Sequence, residues 1–585
     1  MLLPRESPFL RGRRDPARRT RPDPFLLLII YTIISGSTTS SHGGRSDEPL
    51  LQTPSLRRYR HWAPLRDEPL WIHEHLDYHA RRQPDAELVR CGGRATTYAE
   101  GAERSDRIAA ALAARTASGD RVAVLAKNCT DYALLYAAAS KAGVVPVPLN
   151  YRLAPPEWQY ILADSGARML LAQSAFCEGI DDVRSVLPDL EHCAVLDGAV
   201  ESGWAPLEAW LGEPIDAEFA HARRCDDVWQ LYTSGTTGRP KGAVLTQAGV
   251  FATLYQWRVC YPIFPRERQL QVMPLYHIAG ALLVFHFVGH GSSMLLMQDF
   301  DPHEVVRLLD EKGIATTTLV PAMIQACLTE VPDVAERRYE RFRFISYGAS
   351  PIAEATLRRA MQVFGCDFIQ GFGMTECPNL VYLTPEDHRR ALAGETHLLL
   401  STGRAGPGSQ VKIVDEAGRE VPPGTVGEIC GRGPQTMRGY WNQPKATAEA
   451  LRDGWMHTGD AGYLDEEGYL YIKDRIKDMI VSGGENVYPR EVEDVLFRHP
   501  AVADVAVIGV PSERWGETVK AIVVLRADQR ATEEELIAYC QQHLAGFKRP
   551  RSIGFSEELP RNPSGKVLKR ILREPYWAGH ARRVS

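Results

Sequence analysis

A chain of 585 residues is several times the size of one typical domain, so at least two lobes and a large buried core are expected. Its 44% hydrophobic and 24% charged residues are ordinary for a globular protein. A formal net charge of -5, with no basic domain, excludes a typical nucleic-acid binder.

Residues 1–22 are rich in arginine and lack lysine, and the apolar run FLLLIIYTII (Phe25–Ile34) follows. As a helix this run reaches roughly 15 Å against roughly 30 Å of hydrocarbon, too short for an integral membrane span. Basic, apolar and small residues in this order resemble a secretory signal. The Pro, Arg and Ser bias up to Asp67 reads instead as a disordered extension or weak membrane tether, and that is the expectation for residues 1–67. The eleven cysteines are scattered, odd in number and never spaced CxxC. They suggest reduced thiols in a cytosolic protein, with neither a disulfide framework nor a zinc site.

From Arg121 a strand–helix rhythm sets in. RVAVLAKN reads as a buried strand, DYALLYAAASKAG as a helix ended by Gly143, and VVPVPL as a further strand. PPEWQYILADSG, PHEVVRLLDEKG and EATLRRAMQVFG continue as helices; RMLLAQ, HCAVLD, SSMLLM, ATTTLV, RFRFISYG and CDFIQGFG continue as strands. Such alternation predicts an α/β fold of layered, mostly parallel sheets. After Gly403, QVKIVDEAGREVPPGTVGEICGRG alternates strands with glycine turns, predicting a small β-barrel-like subdomain. The last stretch carries helices YPREVEDVLFRHP and TEEELIAYCQQHL and strands VADVAVIGV and TVKAIVVLR. It predicts a small α+β C-terminal lobe. The expected division is 1–67, 68–474 and 475–585.

Between the strand-like DVWQLY and AVLT lies TSGTTGRPKG. A glycine-rich loop beside a strand can turn backbone N–H groups toward a phosphate, with hydroxyls and a lysine as further donors. A Walker A loop places Gly before Lys and Ser or Thr after it. Here Pro240 precedes Lys241 and Gly242 follows, so that reading fails. A flexible Ser/Thr/Gly linker is the bland alternative, but linkers seldom follow a buried strand and close on Pro-Lys-Gly.

YTSGTTGRPKG (232–242) resembles the phosphate-loop signature of the adenylate-forming superfamily, which includes acyl-CoA synthetases, firefly-type luciferases and peptide-synthetase adenylation domains. The resemblance continues in order through QVMPLYHIAG (271–280), ISYGASP (345–351), QGFGMTE (370–376), GWMHTGD (454–460), YIKDRIKDMIVSGGENVYPREVE (471–493) and NPSGKVLKR (562–570). It extends over Glu68 to Arg573. It implies a mobile C-terminal lobe, the cosubstrates ATP and coenzyme A, and Mg2+. The implied reaction joins a small-molecule carboxylic acid to ATP as an acyl-adenylate, releases pyrophosphate, then passes the acyl group to a thiol. No nucleic-acid partner is implied, and the need for ATP and CoA points to the cytoplasm.

Carried over position by position, the resemblance gives Thr233, Ser234, Gly235, Thr236, Thr237, Gly238 and Lys241 to the β- and γ-phosphates. Thr375 and Glu376 face the α-phosphate, with Thr233 and Glu376 as the Mg2+ ligands; a carboxylate and a hydroxyl are suitable hard donors. Read alone, Thr375 and Glu376 would start a helix. Gly348, Ala349 and Ser350 form the purine floor. In QGFGMTE, Gly371, Phe372, Gly373 and Met374 flank the nucleotide, with Phe372 stacking on adenine where many relatives carry tyrosine. Asp460 accepts from the ribose hydroxyls; alone it would be a turn residue. Ile472 and Arg475 lie on the ribose side and Lys477 is the pivot. Lys566 is the catalytic lysine bridging carboxylate and α-phosphate. Gly483, Gly484 and Glu485 of SGGEN accompany the pantetheine arm; by themselves they read as a glycine hairpin.

His277 in PLYHIAG meets the acyl pocket by the same resemblance, although a histidine among apolar residues is ordinarily a packed core residue. No FDxS pattern appears, so an amino-acid substrate is not expected. The apolar ALLVFHF and small SYGASPI segments suit a fatty or aryl acid. Gln247 stands where relatives commonly show histidine. Three functions remain: an acid:CoA ligase on a hydrophobic acid, an enzyme loading a carrier protein's phosphopantetheine, and a non-catalytic nucleotide-binding protein. The joint presence of Lys241, Glu376, Asp460, Arg475 and Lys566 weighs against the third.

Overall fold

A computed structural model describes residues 71–578 apart from 199–202, 213–226, 234–238, 262, 351, 476–477, 483–484, 513 and 562–565. The N-terminal extension, Ser234 to Gly238, Lys477, Gly483 and Gly484 therefore lie outside the described residues. Among those described, no helix is long and apolar enough to cross a membrane.

The fold is mixed α/β. A nine-stranded sheet has parallel strands at its centre, among them Ile314–Leu319, Phe344–Gly348 and Asp367–Met374. Its edges are antiparallel: Glu87–Cys91 pairs with Arg94–Thr97, and Asp367–Met374 with Cys377–Leu383. A second sheet of five parallel strands contains Arg121–Leu125, every residue of which is buried. Helices cover these sheets, which is why the strands read as continuous apolar runs rather than alternating ones. Local signals end and start those helices where the chemistry requires. Thr97 caps Tyr98–Ala113 through a reciprocal pair with Glu100, and Gly143 closes Thr130–Ala142 at φ 67°.

Strand Asp227–Thr233 and strand Lys241–Thr246 pair antiparallel, with Thr233 opposite Lys241. The TSGTTGRPKG loop thus closes a hairpin, whereas a Walker loop joins strand to helix. Gly439–Tyr440 adds to the other side of Lys241–Thr246, so that Tyr440 lies opposite Ala243. This small sheet is anchored at its far end. Buried Asp227 meets Arg121 at 3.3 Å and Arg438 at 2.6 Å, and Arg121 stacks on Trp441 at 3.5 Å.

Residues 410–475 form a five-stranded antiparallel sheet, the barrel-like element expected from sequence. The C-terminal region builds a further five-stranded sheet around Gly516–Leu525, packed on helices Pro489–Leu496 and Glu533–His543. Residues 69–585 form one compact unit. Gln247 has a structural part in it: its carbonyl accepts from the Ile72 N–H at 3.2 Å, and its amide donates to Ser140 at 3.0 Å. An amide there supplies both a donor and an acceptor, which ties three segments together.

Candidate active site

One cleft of about 2230 Å³ gathers most of the residues singled out from sequence. Thr233, Lys241, His277, Gly348, Ala349, Gly371, Gly373, Met374, Thr375 and Glu376 line it, and so do Arg475 and Lys566 from the C-terminal part.

At its polar end, GMTE does not start a helix. Met374 pairs with Cys377, so Thr375 and Glu376 are the two-residue turn of a hairpin, and the turn pushes the Glu376 carboxylate toward the neighbouring small sheet. Glu376 is buried, 5% exposed, and accepts from the Thr233 hydroxyl at 3.3 Å and the Tyr440 hydroxyl at 2.8 Å. The two expected Mg2+ ligands therefore adjoin. A buried carboxylate with a hydroxyl beside it, opening on a cleft, fits a hard cation carried with nucleotide phosphates.

Tyr440 was not found from sequence. Its ring lies 5.0 Å from the Lys241 ammonium while its hydroxyl donates to Glu376, so one side chain meets both charged groups. Burial, then the Glu376 charge, pushes its phenol well above the usual range, so it remains a donor. The only local sign was an aromatic pair, Tyr440-Trp441, in a glycine- and proline-rich stretch; backbone pairing then fixes its place. Arg438 and Trp441 donate to Val244 and Gly242, and Met437 donates to the Glu376 carbonyl, all at 2.8 Å.

The expected purine floor is strained. Ala349 has φ 66°, a conformation that costs a side-chain-bearing residue about 1–3 kcal/mol and clusters at functional sites. Gly348 must lack a side chain, since an added Cβ would come within 2.4 Å of the Gly371 carbonyl oxygen on the next strand. Ser350 lies off the cleft lining, as does Phe372, which packs half-buried against the main core.

Asp460 is buried and also off the lining. It lies opposite Arg475 across antiparallel strands, and Oδ1 meets Arg475 Nε at 2.7 Å. The residues beside it, Thr458 and Gly459, do face the cleft. Ile472 pairs with Gly462 and packs on the core. Glu485 is exposed, away from the cleft, and pairs with Ser482 in a hairpin.

Lys566 is half-buried on the cleft wall, just ahead of helix Lys569–Trp577. That helix is held by an ion cluster. The Lys569 ammonium lies 2.8 Å from Glu493 and 3.7 Å from Asp474, and Arg573 pairs with Asp478 at 2.6 Å. Burial alone would lower Lys569, but the Glu493 and Asp474 carboxylates outweigh it and hold the ammonium above its ordinary value.

The other end of the cleft is apolar. Helix Ile278–Gly289 presents Ile278, Leu282 and Leu283, with Trp257, Val320 and Met323 from neighbouring elements. His277 caps that helix, its Nδ1 accepting from the Ala279 N–H at 3.3 Å, and burial pushes it down to about 4. It is therefore neutral at ordinary pH.

The sequence matches the AMP-binding enzyme family over residues 76–441 and the AMP-binding enzyme C-terminal domain over 491–566. It is 40% identical over 522 residues to a fatty acid–[acyl-carrier-protein] ligase of Streptomyces coeruleorubidus, spanning 87% of this chain and 97% of that one. It is 38% identical over 488 residues to a long-chain-fatty-acid–CoA ligase of Mycobacterium tuberculosis, spanning 82% and 93%. Among solved structures it resembles a Mycobacterium tuberculosis fatty acyl CoA synthetase, with TM-score 0.67 and 35% identity over 87% of this chain and 98% of that one. The chain belongs to the AMP-binding enzyme family, within the adenylate-forming superfamily.

Proposed function

We infer that the protein is an acid–thiol ligase that joins a hydrophobic carboxylic acid to ATP as an acyl-adenylate and then transfers the acyl group to coenzyme A. The observation that carries this reading is the single cleft in which Lys566, Glu376, Thr233 and Lys241 line one end and an apolar chamber the other.

A carboxylate attacking a phosphate brings two anions together, so the site must offer fixed positive charge and donors. Lys566 bridges the attacking oxygen and the α-phosphate. Lys241, with the loop it closes, holds the outer phosphates. Thr233 and Glu376 would hold the magnesium ion that screens them. Asp460 and Arg475 act as a pair at the ribose. His277, neutral and fixed as a helix cap, stands between the reacting carboxylate and the apolar chamber. For thioester formation the lobe from Arg475 onward turns about Lys477, withdrawing Lys566 and bringing the hairpin around Gly483 and Gly484 toward the thiol. Glycine there lets pantetheine approach the backbone.

The test is pyrophosphate release across acids of graded length, with Lys566→Ala alongside. Losing one transition-state donor costs about 3–4 kcal/mol, or about a hundred- to thousandfold in rate. Adenylation should fall by that factor while thioester formation from supplied acyl-adenylate is spared. Equal loss in both steps would remove Lys566 from the assigned role. The relative that acts on acyl-carrier protein favours a second reading, in which the thiol belongs to a carrier protein. Comparing free CoA with a phosphopantetheinylated carrier as acceptor separates the two.

A further inference from the structure

The apolar chamber has a floor. Helix Ile278–Gly289 forms one wall, and on a helix residues three or four apart share a face. Ile278, Ala279, Leu282 and Leu283 line the cleft, a span of about 8 Å of helix rise. His286, next on that face, is 2% exposed and lies off the lining. The chamber follows the helix to Leu283 and ends before the next turn.

Aromatic rings close it. Trp257 belongs to helix Gln247–Cys260 and Tyr261 follows that helix directly; both line the cleft and both are buried. Their ring centroids are 5.3 Å apart. The His286 ring stands edge-on to each from behind, 5.0 Å from Trp257 and 5.8 Å from Tyr261, and Phe344 adds a further edge contact to Tyr261 at 5.9 Å. Rings at these separations attract one another beyond what their burial contributes. The stack is also tied to the nine-stranded sheet. The Tyr261 hydroxyl accepts from Ser346 at 3.3 Å, and Ser346 accepts from Thr318, its neighbour on the adjacent strand, at 3.2 Å. Ser346 and Thr318 line the cleft as well, so the sheet side of the chamber meets the same floor. Burial holds the His286 imidazole well below its ordinary value, so it brings no charge to that floor.

We propose that Trp257, Tyr261 and His286 form a stop that sets the length of the acid, so that the substrate is a compact hydrophobic acid, medium-chain or arylalkanoic, and long-chain fatty acids are excluded. This rests on the ligase reading, in which the carboxylate lies at His277 and the rest of the acid runs into the chamber. Two long-chain tails end to end span the roughly 30 Å hydrocarbon core of a bilayer, about 15 Å each, which is nearly twice the lined length of the helix. A longer chain would have to displace these rings, and a close-packed interior does not yield by even one methylene without cost.

The test is pyrophosphate release by the full chain with butanoate, octanoate, phenylacetate and palmitate, each below its micelle concentration, with Trp257→Ala and Leu283→Phe alongside. A single methylene in a hydrophobic pocket changes kcat/KM by about 10- to 200-fold, so octanoate and phenylacetate should exceed palmitate by more than about 100-fold. Trp257→Ala opens the floor and should shift the palmitate-to-octanoate ratio toward palmitate by at least about tenfold. Leu283→Phe fills the chamber short of the floor and should shift the octanoate-to-butanoate ratio toward butanoate by about tenfold. A general folding defect lowers all acids together and leaves these ratios in place; thermal melting of both variants checks that they fold. The proposal is overturned if the parent chain turns over palmitate as well as octanoate, or if either variant, folded, keeps the parental ratio. No pyrophosphate from any of the four acids would remove the ligase reading itself, and the proposal with it.

Discussion

Replacing Tyr440 by Phe tests how the polar end of the cleft is organised. The change removes one hydroxyl, 2.8 Å from the Glu376 carboxylate, and leaves the ring that faces Lys241. Glu376 is 5% exposed, and the Thr233 hydroxyl at 3.3 Å is the longer of its two hydroxyl contacts. A hydrogen bond to a charged group contributes about 1.5–3 kcal/mol. If that energy orients the carboxylate for the nucleotide's metal, kcat/KM for adenylation should fall by about tenfold to about a hundredfold. The apparent requirement for Mg2+ should rise with it. The assay is pyrophosphate release against Mg2+ concentration, paired with thioester formation from synthetic acyl-adenylate, which should be unchanged. A rate within twofold of the parent, with the same Mg2+ dependence, would refute the positioning role. Equal losses in both half-reactions would show a merely structural one.

Three further outcomes follow from the packing. His388 is buried, with Nδ1 donating to the Thr384 carbonyl at 2.8 Å and Nε2 accepting from Tyr347 at 2.9 Å, and burial pushes it down to about 4. Its folded value lies below the unfolded 6.5, so the unfolded chain takes the proton first. Its contribution is complete above pH 6.5 and is lost as pH falls toward 4, by about 3 kcal/mol; urea midpoints should fall across that window, and His388→Gln should remove about that much of the fall, the remainder belonging to other buried histidines such as His75 and His277. Lys569→Met strands the Glu493 and Asp474 carboxylates, whose side chains are 15% and 9% exposed, and removal of one partner from a buried pair costs about 3–5 kcal/mol. Limited proteolysis of residues 475–585 should accelerate, and an unchanged cleavage rate would contradict the anchoring role. Gly348→Ala forces a Cβ against the Gly371 backbone and should lower the melting temperature, whereas Gly212→Ala, whose Cβ meets nothing nearer than 3.6 Å, serves as the comparison.

Much of the architecture was legible before folding was considered. Strand Arg121–Leu125 and helix Thr130–Ala142 announce themselves because burial on both faces demands continuous apolar runs and because Gly143 can adopt the left-handed turn that stops a helix. The loop expected to hold phosphate stands out for a similar reason: its glycines, hydroxyls and lysine are contiguous. Gly-Met-Thr-Glu misled when read alone, since Thr and Glu favour a helix start. The antiparallel partner Cys377–Leu383 made it a hairpin turn instead.

Contiguous residues carried the expectation of chemistry: a loop of glycines, hydroxyls and a lysine, a lysine near the C-terminus and an apolar segment could be read from the sequence itself. Tertiary structure alone brought Tyr440 against both Lys241 and Glu376. The reason is physical. Short-range preference fixes what a segment can be, whereas strand pairing between segments far apart in the chain decides which side chains come within a few ångströms of each other.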